Sequence, residues 1–119
     1  MIRNKPEEWI KVTKQGLFVE PGNFFIDPNT ATDIAVITHA HADHARAGHK
    51  KVISTHETLA IMKVRFGEKH SPLPYGISYG EKLKINDVMI WLVPAGHVLG
   101  SAQIVLEYKA VSYTHLTLP

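Results

Sequence analysis

Residues 35–49 read AVITHAHADHARAGH, which is the most informative stretch of the sequence. It begins in an apolar, β-branched run, IAVIT at 34–38, of the kind found in a strand that is buried on both faces. Three histidines and an aspartate then occupy four of the six positions 39–44. The pattern predicts a buried strand whose end carries a metal site.

The spacing within HAHADH gives the ligands their geometry. In an extended chain residues two apart point to the same side, so His39 and His41 can converge on one ion. Asp43 and His44 come after the chain has begun to turn, and they can face a second ion. The sequence has no cysteine, so imidazole and carboxylate must supply the ligands, which suits Zn²⁺ and also Mn²⁺ or iron.

A second candidate lies downstream in VPAGHVLGSAQIVLEY, residues 93–108. His97 follows an apolar run and is flanked by Gly96 and Gly100, which let the backbone bend close to a site. A lone histidine after a strand is more often structural than a ligand. Together with His39 and His41, however, it would complete a three-histidine site with an open position for water.

Composition sets the class of protein. The chain has 119 residues, 45% of them hydrophobic and 20% charged, which indicates one soluble globular domain. A formal charge of +2 and a pI of about 8.9 permit a polyanionic partner without requiring one. The amino terminus lacks the apolar core of a signal peptide, and no apolar run could span a bilayer, so the predicted location is cytoplasmic.

The remaining pattern alternates short strands with one helix. GLFVE and NFFID, joined by Pro21-Gly22, predict a hairpin, and Ser54 with Glu57 predicts a capping box for a helix that ends at Gly67. SPLPYG at 71–76 is predicted to be a loop because of its two prolines.

Three further strands are predicted in the second half of the chain. They are KLKI, VMIWLVP and AQIVLEY, with a tight turn at Asn86-Asp87 between the first two. Outside the motifs, His49, His56 and His70 are expected to be solvated surface residues.

The final residues form a separate prediction. VSYTHL at 111–116 matches a translation of GTC TCT TAT ACA CAT CT, which resembles the transposon mosaic end used in sequencing libraries. We therefore expect native sequence to stop near Lys109 and residues 110–119 to be a translated adapter, which removes His115 from the ligand candidates. The alternative is a genuine C-terminal strand.

These motifs together resemble a known family. THAHADH resembles the H-x-H-x-D-H signature of the metallo-β-lactamase fold, and PAGHVLGSAQI resembles the third motif of its nucleic-acid-processing, β-CASP-type branch. In the order GLFVEPGNFFIDP, AVITHAHADHARAG, LPYG, PAGHVLGSAQI, they are similar to bacterial ligase-associated DNA exonucleases, also described as mRNA 3′-end-processing-factor-like. The resemblance runs from about Gly16 to Tyr108. It implies an α+β fold, with residues 1–109 supplying the N-terminal half of an αββα sandwich.

The resemblance also implies a two-metal hydrolytic site. Zn²⁺ is expected, with Mn²⁺ as the alternative, and the implied ligands are His39, His41, Asp43, His44 and His97. Asp43 and His44 would take the catalytic positions at the second ion. Asp27, in FFIDP, matches an aspartate that steadies the metal-binding loop from behind the ligands. Its other interpretation is a cap before Pro28, just as Ser101 could contact substrate or cap a turn.

The implied function is a metal-dependent phosphodiesterase acting on nucleic acid, a DNA exonuclease in repair, with DNA or RNA as substrate and a DNA ligase or helicase as partner. Two alternatives stay open: a glyoxalase- or lactonase-like (thio)ester hydrolase of the same fold, and a non-catalytic metal-binding scaffold.

The chain departs from the family at its carboxyl end. The family supplies a bridging aspartate and a further histidine downstream, whereas none of the four aspartates here follows His97. We therefore expect this chain to hold at most one metal well, to show little activity by itself, and to be poorly stable because it supplies roughly one of two sheets.

Overall fold

The computed structural model describes residues 6–39, 48–67, 71–95, 101–109 and 111–115, and only the backbone of residues 6, 7 and 111–115. Two helices and ten strands are described: α1 (Pro6–Trp9), β1 (Ile10–Val12), β2 (Leu17–Val19), β3 (Phe24–Ile26), β4 (Ile34–Val36), β5 (Lys51–Thr55), α2 (His56–Phe66), β6 (Leu73–Ile77), β7 (Leu83–Ile85), β8 (Val88–Pro94), β9 (Ala102–Tyr108) and β10 (Val111–His115). The strands form a six-stranded sheet, in the order β1-β2-β3-β4-β5-β6, and a four-stranded sheet, in the order β10-β9-β8-β7.

The predicted hairpin at Pro21-Gly22 is confirmed. Strands β2 and β3 pair antiparallel, with Leu17 opposite Ile26. A single 3₁₀ turn, Glu20–Gly22, connects them, and Asn23 follows in the left-handed conformation with a φ of 55°. Asparagine tolerates this conformation better than most residues, which lets the chain reverse within four positions.

Strand β4 is buried on both faces, as its continuous apolar run predicts. It lies between β3 and β5 and is parallel to both. Ala35 and Ile37 pack with Met62 of α2 on one face, whereas Val36 joins the core on the opposite face. The β-branched run therefore packs against α2 on one face and into the core between the two sheets on the other.

The two sheets pack against each other through one shared core. The six-stranded sheet contributes Val19, Phe24, Ile26, Val36, Ile53 and Ile77, and the four-stranded sheet contributes Ile85, Val88, Ile90, Leu92, Ile104 and Leu106. With α2 on the outer face of the larger sheet, the layers run helix, sheet, sheet. The expectation that the chain supplies roughly one sheet is therefore wrong: it contains strands of both.

The predicted capping box of α2 is displaced by one residue. Thr55 is the N-cap, and its hydroxyl accepts a hydrogen bond from the Thr58 N–H at 3.1 Å. The Ser54 hydroxyl instead donates to the Ile37 carbonyl of the neighbouring chain segment at 2.7 Å. The helix ends as predicted at Gly67, whose N–H reaches the Lys63 carbonyl.

The loop predicted at 71–76 is also wrong in part, because residues 73–77 form β6. This strand pairs parallel with β5 and stands at the edge of its sheet. An edge strand needs donors on one side only, so Pro74 can occupy it despite having no N–H.

The three strands predicted in the second half are confirmed as β7, β8 and β9. Asn86 and Asp87 form the predicted two-residue turn between Ile85 and Val88, with Asn86 at a φ of 52°.

Strand β10 pairs antiparallel with β9. Such a pairing is compatible with either origin of residues 110–119, so the adapter interpretation stays a prediction. Within the described residues, no helix is long and apolar enough to cross a membrane.

Candidate metal centre

The candidate site lies where the parallel strands end. Strand β3 ends just before Asp27, and β4 ends just before Ile37, Thr38 and His39. The Asp27 N–H donates to the Val36 carbonyl at 3.0 Å, which holds the two strand ends side by side. Because the carboxyl ends of parallel strands share one edge of a sheet, polar residues that follow them are brought together.

Asp27, Thr38 and His39 form a continuous chain of hydrogen bonds at this edge. The Thr38 N–H donates to Oδ1 of Asp27 at 2.8 Å, and the Thr38 hydroxyl donates to Oδ2 at 2.7 Å. The same hydroxyl oxygen lies 3.0 Å from Nδ1 of His39. Thr38 and His39 are both fully buried. The aspartate thus fixes the threonine, and the threonine fixes the imidazole.

The direction of these hydrogen bonds also favours one tautomer of His39. An ionised carboxylate only accepts hydrogen bonds, so the single hydroxyl proton of Thr38 is directed to Asp27. A Thr38 hydroxyl that donates to Asp27 can only accept from His39, which favours the tautomer protonated at Nδ1. A neutral imidazole protonated at Nδ1 carries its lone pair on Nε2, the nitrogen with which it would bind a metal.

Asp27 itself sits in an uncommon backbone conformation, with a φ of 47°. Aspartate is one of the few residues that adopt it at modest cost. Its carboxylate reaches Thr38, eleven positions along the chain. The structure thus places Asp27 behind His39, and its predicted effect on bound metal stays a prediction.

The segment that carries the second motif is joined to the same edge. The Ala102 N–H donates to the Thr38 carbonyl at 2.8 Å, and the Ala95 N–H donates to the carbonyl of buried Ser101 at 3.3 Å. Ala95 and Ser101 flank residues 96–100. The two sequence motifs therefore meet through backbone hydrogen bonds although they are about sixty residues apart in sequence.

Of the five predicted metal ligands, the structure places His39. His41, Asp43, His44 and His97 lie outside the described residues. Among the residues that are described, no three histidine, aspartate or glutamate side chains gather into a metal site.

The histidines predicted to be on the surface divide into three cases. His56 is exposed, as expected, and His70 lies outside the described part of the chain. The expectation for His49 is wrong, because its side chain is fully buried. Its Nδ1 accepts a hydrogen bond from the Thr32 N–H at 3.1 Å, and Nε2 is buried without a partner among the described residues. Burial lowers the pKa of His49 below its ordinary value.

Two residues at the site were missed in the sequence. Thr38 had a weak signal, a hydroxyl at the end of an apolar run just before the first histidine. Tyr79 had none, yet its hydroxyl donates to the Ser101 carbonyl at 2.7 Å. Burial, and secondly the negative charge of Glu57, raise the pKa of Tyr79.

A cavity of about 260 Å³ lies elsewhere, alongside the segment that leads into β4. None of Asp27, Thr38 and His39 lines it, so it has no part in the candidate site. Its lining residues are Gln15, Asn23, Phe25, Ala31, Thr32, Asp33 and Ile34.

Sequence comparison finds one relative among curated proteins, which is named a probable DNA ligase. Over 101 residues the chain is 29% identical to this probable DNA ligase of Opitutus terrae, a match that covers 84% of this chain and 10% of that protein. The chain thus spans about a tenth of this relative. No protein-family model matches the sequence.

Structural comparison gives the fold. The chain is similar to the metallo-β-lactamase GOB-18 from Elizabethkingia meningoseptica, with a TM-score of 0.56 and 17% identity over 95% of this chain and 63% of that one. It is similar also to the class B3 di-zinc metallo-β-lactamase LRA-12 from an Alaskan soil metagenome, with a TM-score of 0.52 and 17% identity over 88% and 53% of the two chains. The predicted α+β metallo-β-lactamase fold is confirmed, and the chain covers part of it.

Proposed function

We propose, from the metallo-β-lactamase fold of this chain, that it is part of a metal-dependent phosphodiesterase acting on nucleic acid, more narrowly a DNA exonuclease in repair. The observation that carries the proposal is the hydrogen-bond chain from Asp27 through Thr38 to His39. A buried imidazole held in one tautomer by a buried hydroxyl and a carboxylate is the arrangement that orients a metal-ligating histidine.

The donor set fits zinc. His39 would bind the ion through Nε2, and the bond from Ala102 to Thr38 attaches the segment that contains His97 to the same strand end. His39, His41 and His97 would hold one ion, and Asp43 and His44 would contribute to a second. Imidazole and carboxylate donors suit Zn²⁺, and they accept Mn²⁺ as well.

Residues of this chain orient the metal-binding histidine before substrate binds. When bound, the metal acts as a Lewis acid on the scissile phosphate and lowers the pKa of the attacking water. Thr38 and Asp27 hold His39 rigidly, so its orientation need not change during the reaction. Burial of Thr38 and His39 keeps bulk water away from these hydrogen bonds and strengthens them.

Nucleic acid is the favoured substrate for two reasons. PAGHVLGSAQI resembles the third motif of nucleic-acid-processing members of the fold, and the Opitutus terrae relative is named a probable DNA ligase. A ligase or helicase is accordingly the proposed partner. A pI of about 8.9 is compatible with a polyanionic substrate.

The decisive experiment measures hydrolysis by the product of the complete gene, since this chain spans a tenth of the ligase-named relative. Labelled single-stranded DNA, RNA and a thioester are supplied with Zn²⁺ or Mn²⁺, and products are resolved by length. We expect stepwise shortening of DNA. His41→Ala should lower its rate on the order of a hundredfold or more, since loss of a ligand costs at least as much as loss of a supporting residue.

His70→Ala is the matched control, because His70 stands outside both motifs, and it should keep the wild-type rate. The 119-residue chain, assayed in parallel, should cleave DNA only weakly. Thioester hydrolysis without DNA cleavage would favour the small-molecule hydrolase, and full DNA cleavage by His41→Ala would exclude the metal mechanism.

A further inference from the structure

Gly76 of β6 is a glycine that the backbone conformation does not require. It pairs with Ser54 in the regular ladder between β5 and β6, and its φ lies outside the positive range that Gly67 and Gly80 adopt. Glycine weakens the interior of a strand, because it has no side chain to pack and loses the most backbone entropy on folding. A glycine in such a place indicates that another group approaches the strand closely.

The group that approaches Gly76 is the imidazole of His56. A Cβ atom added to Gly76 would lie 2.6 Å from Cε1 of His56 and closer still to Nδ1. Non-bonded heavy atoms prefer separations of about 3.5–4 Å, so the ring fills the space that a side chain at position 76 would need. Glycine at this position therefore lets the imidazole lie directly against β6.

His56 stands at the same edge of the sheet as the candidate metal centre. It is the first residue of α2 and follows β5 directly, just as His39 follows the end of β4. The two strands are parallel neighbours in which Val36 pairs with Ile53, and each histidine comes three residues after this pair. The Ile37 N–H donates to the Ile53 carbonyl at 3.0 Å, so the strands stay joined up to their ends. The two histidines thus leave the sheet at adjacent places.

The imidazole of His56 is accessible to a ligand. The residue is exposed, and its ring makes no hydrogen bond within the part of the chain that the structure describes. The ring atoms nearest to Gly76 are Nδ1, Cε1 and Cγ, so Nε2 lies farther from the strand. A neutral imidazole can carry its proton on either nitrogen and donate it. His39, in contrast, is fully buried with Nδ1 at the Thr38 hydroxyl, so the two histidines are suited to different tasks.

The charges around His56 suit a tethered phosphate better than a free anion. His56 begins α2, and the amino end of a helix carries partial positive charge that favours anions. Glu57, the next residue, is negative, and after the larger effect of burial it raises the pKa of Tyr79. These two influences oppose each other, so His56 would hold a free anion weakly. A phosphate in a strand that is already bound elsewhere is present at high effective concentration and needs only one further donor.

We propose that His56 is a substrate-binding residue, which donates a hydrogen bond from Nε2 to a phosphate oxygen of the nucleic acid, and that Gly76 positions its ring. This inference rests on the proposed function, which supplies the phosphate. Phosphate contacts fix the register of a nucleic acid on a protein and carry no sequence information. His56 therefore contributes to substrate binding and takes no part in the chemical step.

The test measures steady-state cleavage of labelled single-stranded DNA by the product of the complete gene. His56→Ala should raise KM about tenfold with kcat nearly unchanged, as the loss of one hydrogen bond to a charged group predicts. Fluorescence anisotropy with phosphorothioate-linked DNA, which is cleaved slowly, should show a similar loss of affinity. Arg65→Ala is the control, because it removes an exposed cation from the last turn of the same helix. It should keep the wild-type KM, which separates a local contact from general attraction between protein and DNA.

Gly76→Ala tests the positioning of the ring. The substitution keeps His56 but places a methyl group where the imidazole lies, so the ring must move away. KM should rise almost as much as in His56→Ala, and adding Gly76→Ala to His56→Ala should cause no further rise. Because the displaced atoms belong to an exposed side chain, the urea midpoint of the 119-residue chain should stay at the wild-type value.

The outcomes separate this inference from the proposed function. If the wild type neither binds nor cleaves DNA, the proposed function fails and the inference fails with it. If the wild type cleaves DNA while His56→Ala keeps its KM and affinity, the function stands and the role of His56 is overturned. An equal rise of KM in Arg65→Ala, or a fall in kcat of His56→Ala at constant KM, would also overturn that role. A Gly76→Ala variant with wild-type KM, or one that fails to fold, would overturn the positioning by Gly76.

Discussion

His49 is a buried imidazole whose ionisation opposes folding. Burial lowers its pKa below the ordinary value of 6.5, so the native protein favours the neutral ring. As pH falls below about 6.5 the unfolded chain takes up this proton before the native one does, and stability decreases. The contribution is complete above that pH and is lost toward the lower native pKa. Urea denaturation from pH 7.5 to 5.0 should show this loss, with a slope of at most about 1.4 kcal/mol per pH unit.

His49→Asn tests the assignment. Its amide oxygen can replace Nδ1 as acceptor for the Thr32 N–H, but it cannot ionise. The variant should lose part of the slope between pH 6.5 and 5.0. His56→Asn, which changes an exposed histidine, should keep it. An unaltered slope in His49→Asn would assign the pH dependence to other groups.

At the scale of single residues, the sequence identified those whose role follows from a short local motif. His39 and Asp27 stand in recognisable motifs, and the structure places them in one hydrogen-bond chain. His49 and Tyr79 owe their surroundings to partners seventeen and twenty-two positions away. No sequence spacing indicates such distant partners. His49 was therefore predicted wrongly to lie on the surface, and Tyr79 was not identified.

Among the elements, α2 depends on its N-cap. The Thr55 hydroxyl satisfies the Thr58 N–H, one of the donors that a helix start leaves unpaired. Thr55→Ala should therefore lower the free energy of unfolding by about 1 kcal/mol. Urea denaturation followed by far-UV circular dichroism measures the change.

Thr55→Ser keeps the capping oxygen and is the control for the lost methyl group. It should retain most of the stability that Thr55→Ala loses. Equal destabilisation by the two substitutions would mean that packing of the buried Thr55 methyl, and not the cap, sets the stability of this helix start.

Elements were predictable where a local pattern determined them. The hairpin around Pro21-Gly22 and the doubly buried β4 follow from turn chemistry and from a β-branched run. The N-cap of α2 and strand β6 could not be predicted from a local pattern, and the reason is the same for both. The Ile37 carbonyl engages the Ser54 hydroxyl and shifts the cap by one residue, and pairing with β5 makes an edge strand of a proline-containing segment. Both depend on a neighbouring strand.

For the whole molecule, the fold class was predictable but the number of sheets was not. Alternating burial in β8 and β9 indicates one inward face on each strand, yet it does not say which sheet that face meets. The shared core unites residues as distant as Val19 and Leu106. Four of the five predicted ligands lie outside the described residues, so the complete metal centre stays a prediction.

A shared core predicts that the two sheets unfold together. Trp9 is 3% exposed, belongs to this core beside the larger sheet, and its ring lies 5.4 Å from that of Tyr108 in β9. Trp91 stands on β8 of the smaller sheet, with the Lys82 ammonium 4.8 Å from its ring. The chain has two tryptophans, so Trp9→Phe and Trp91→Phe each leave a single reporter.

In each variant, urea unfolding is followed by the fluorescence of the remaining tryptophan and by far-UV circular dichroism. Because the comparison is made within one protein, any stability change caused by the substitution cancels. We expect coincident midpoints in both variants, as cooperative two-state unfolding requires. A fluorescence midpoint of Trp91 that precedes the dichroism midpoint would show that the four-stranded sheet detaches first. The shared core would then be too weak to couple the layers, and the chain would behave as the poorly stable half-domain expected from its sequence.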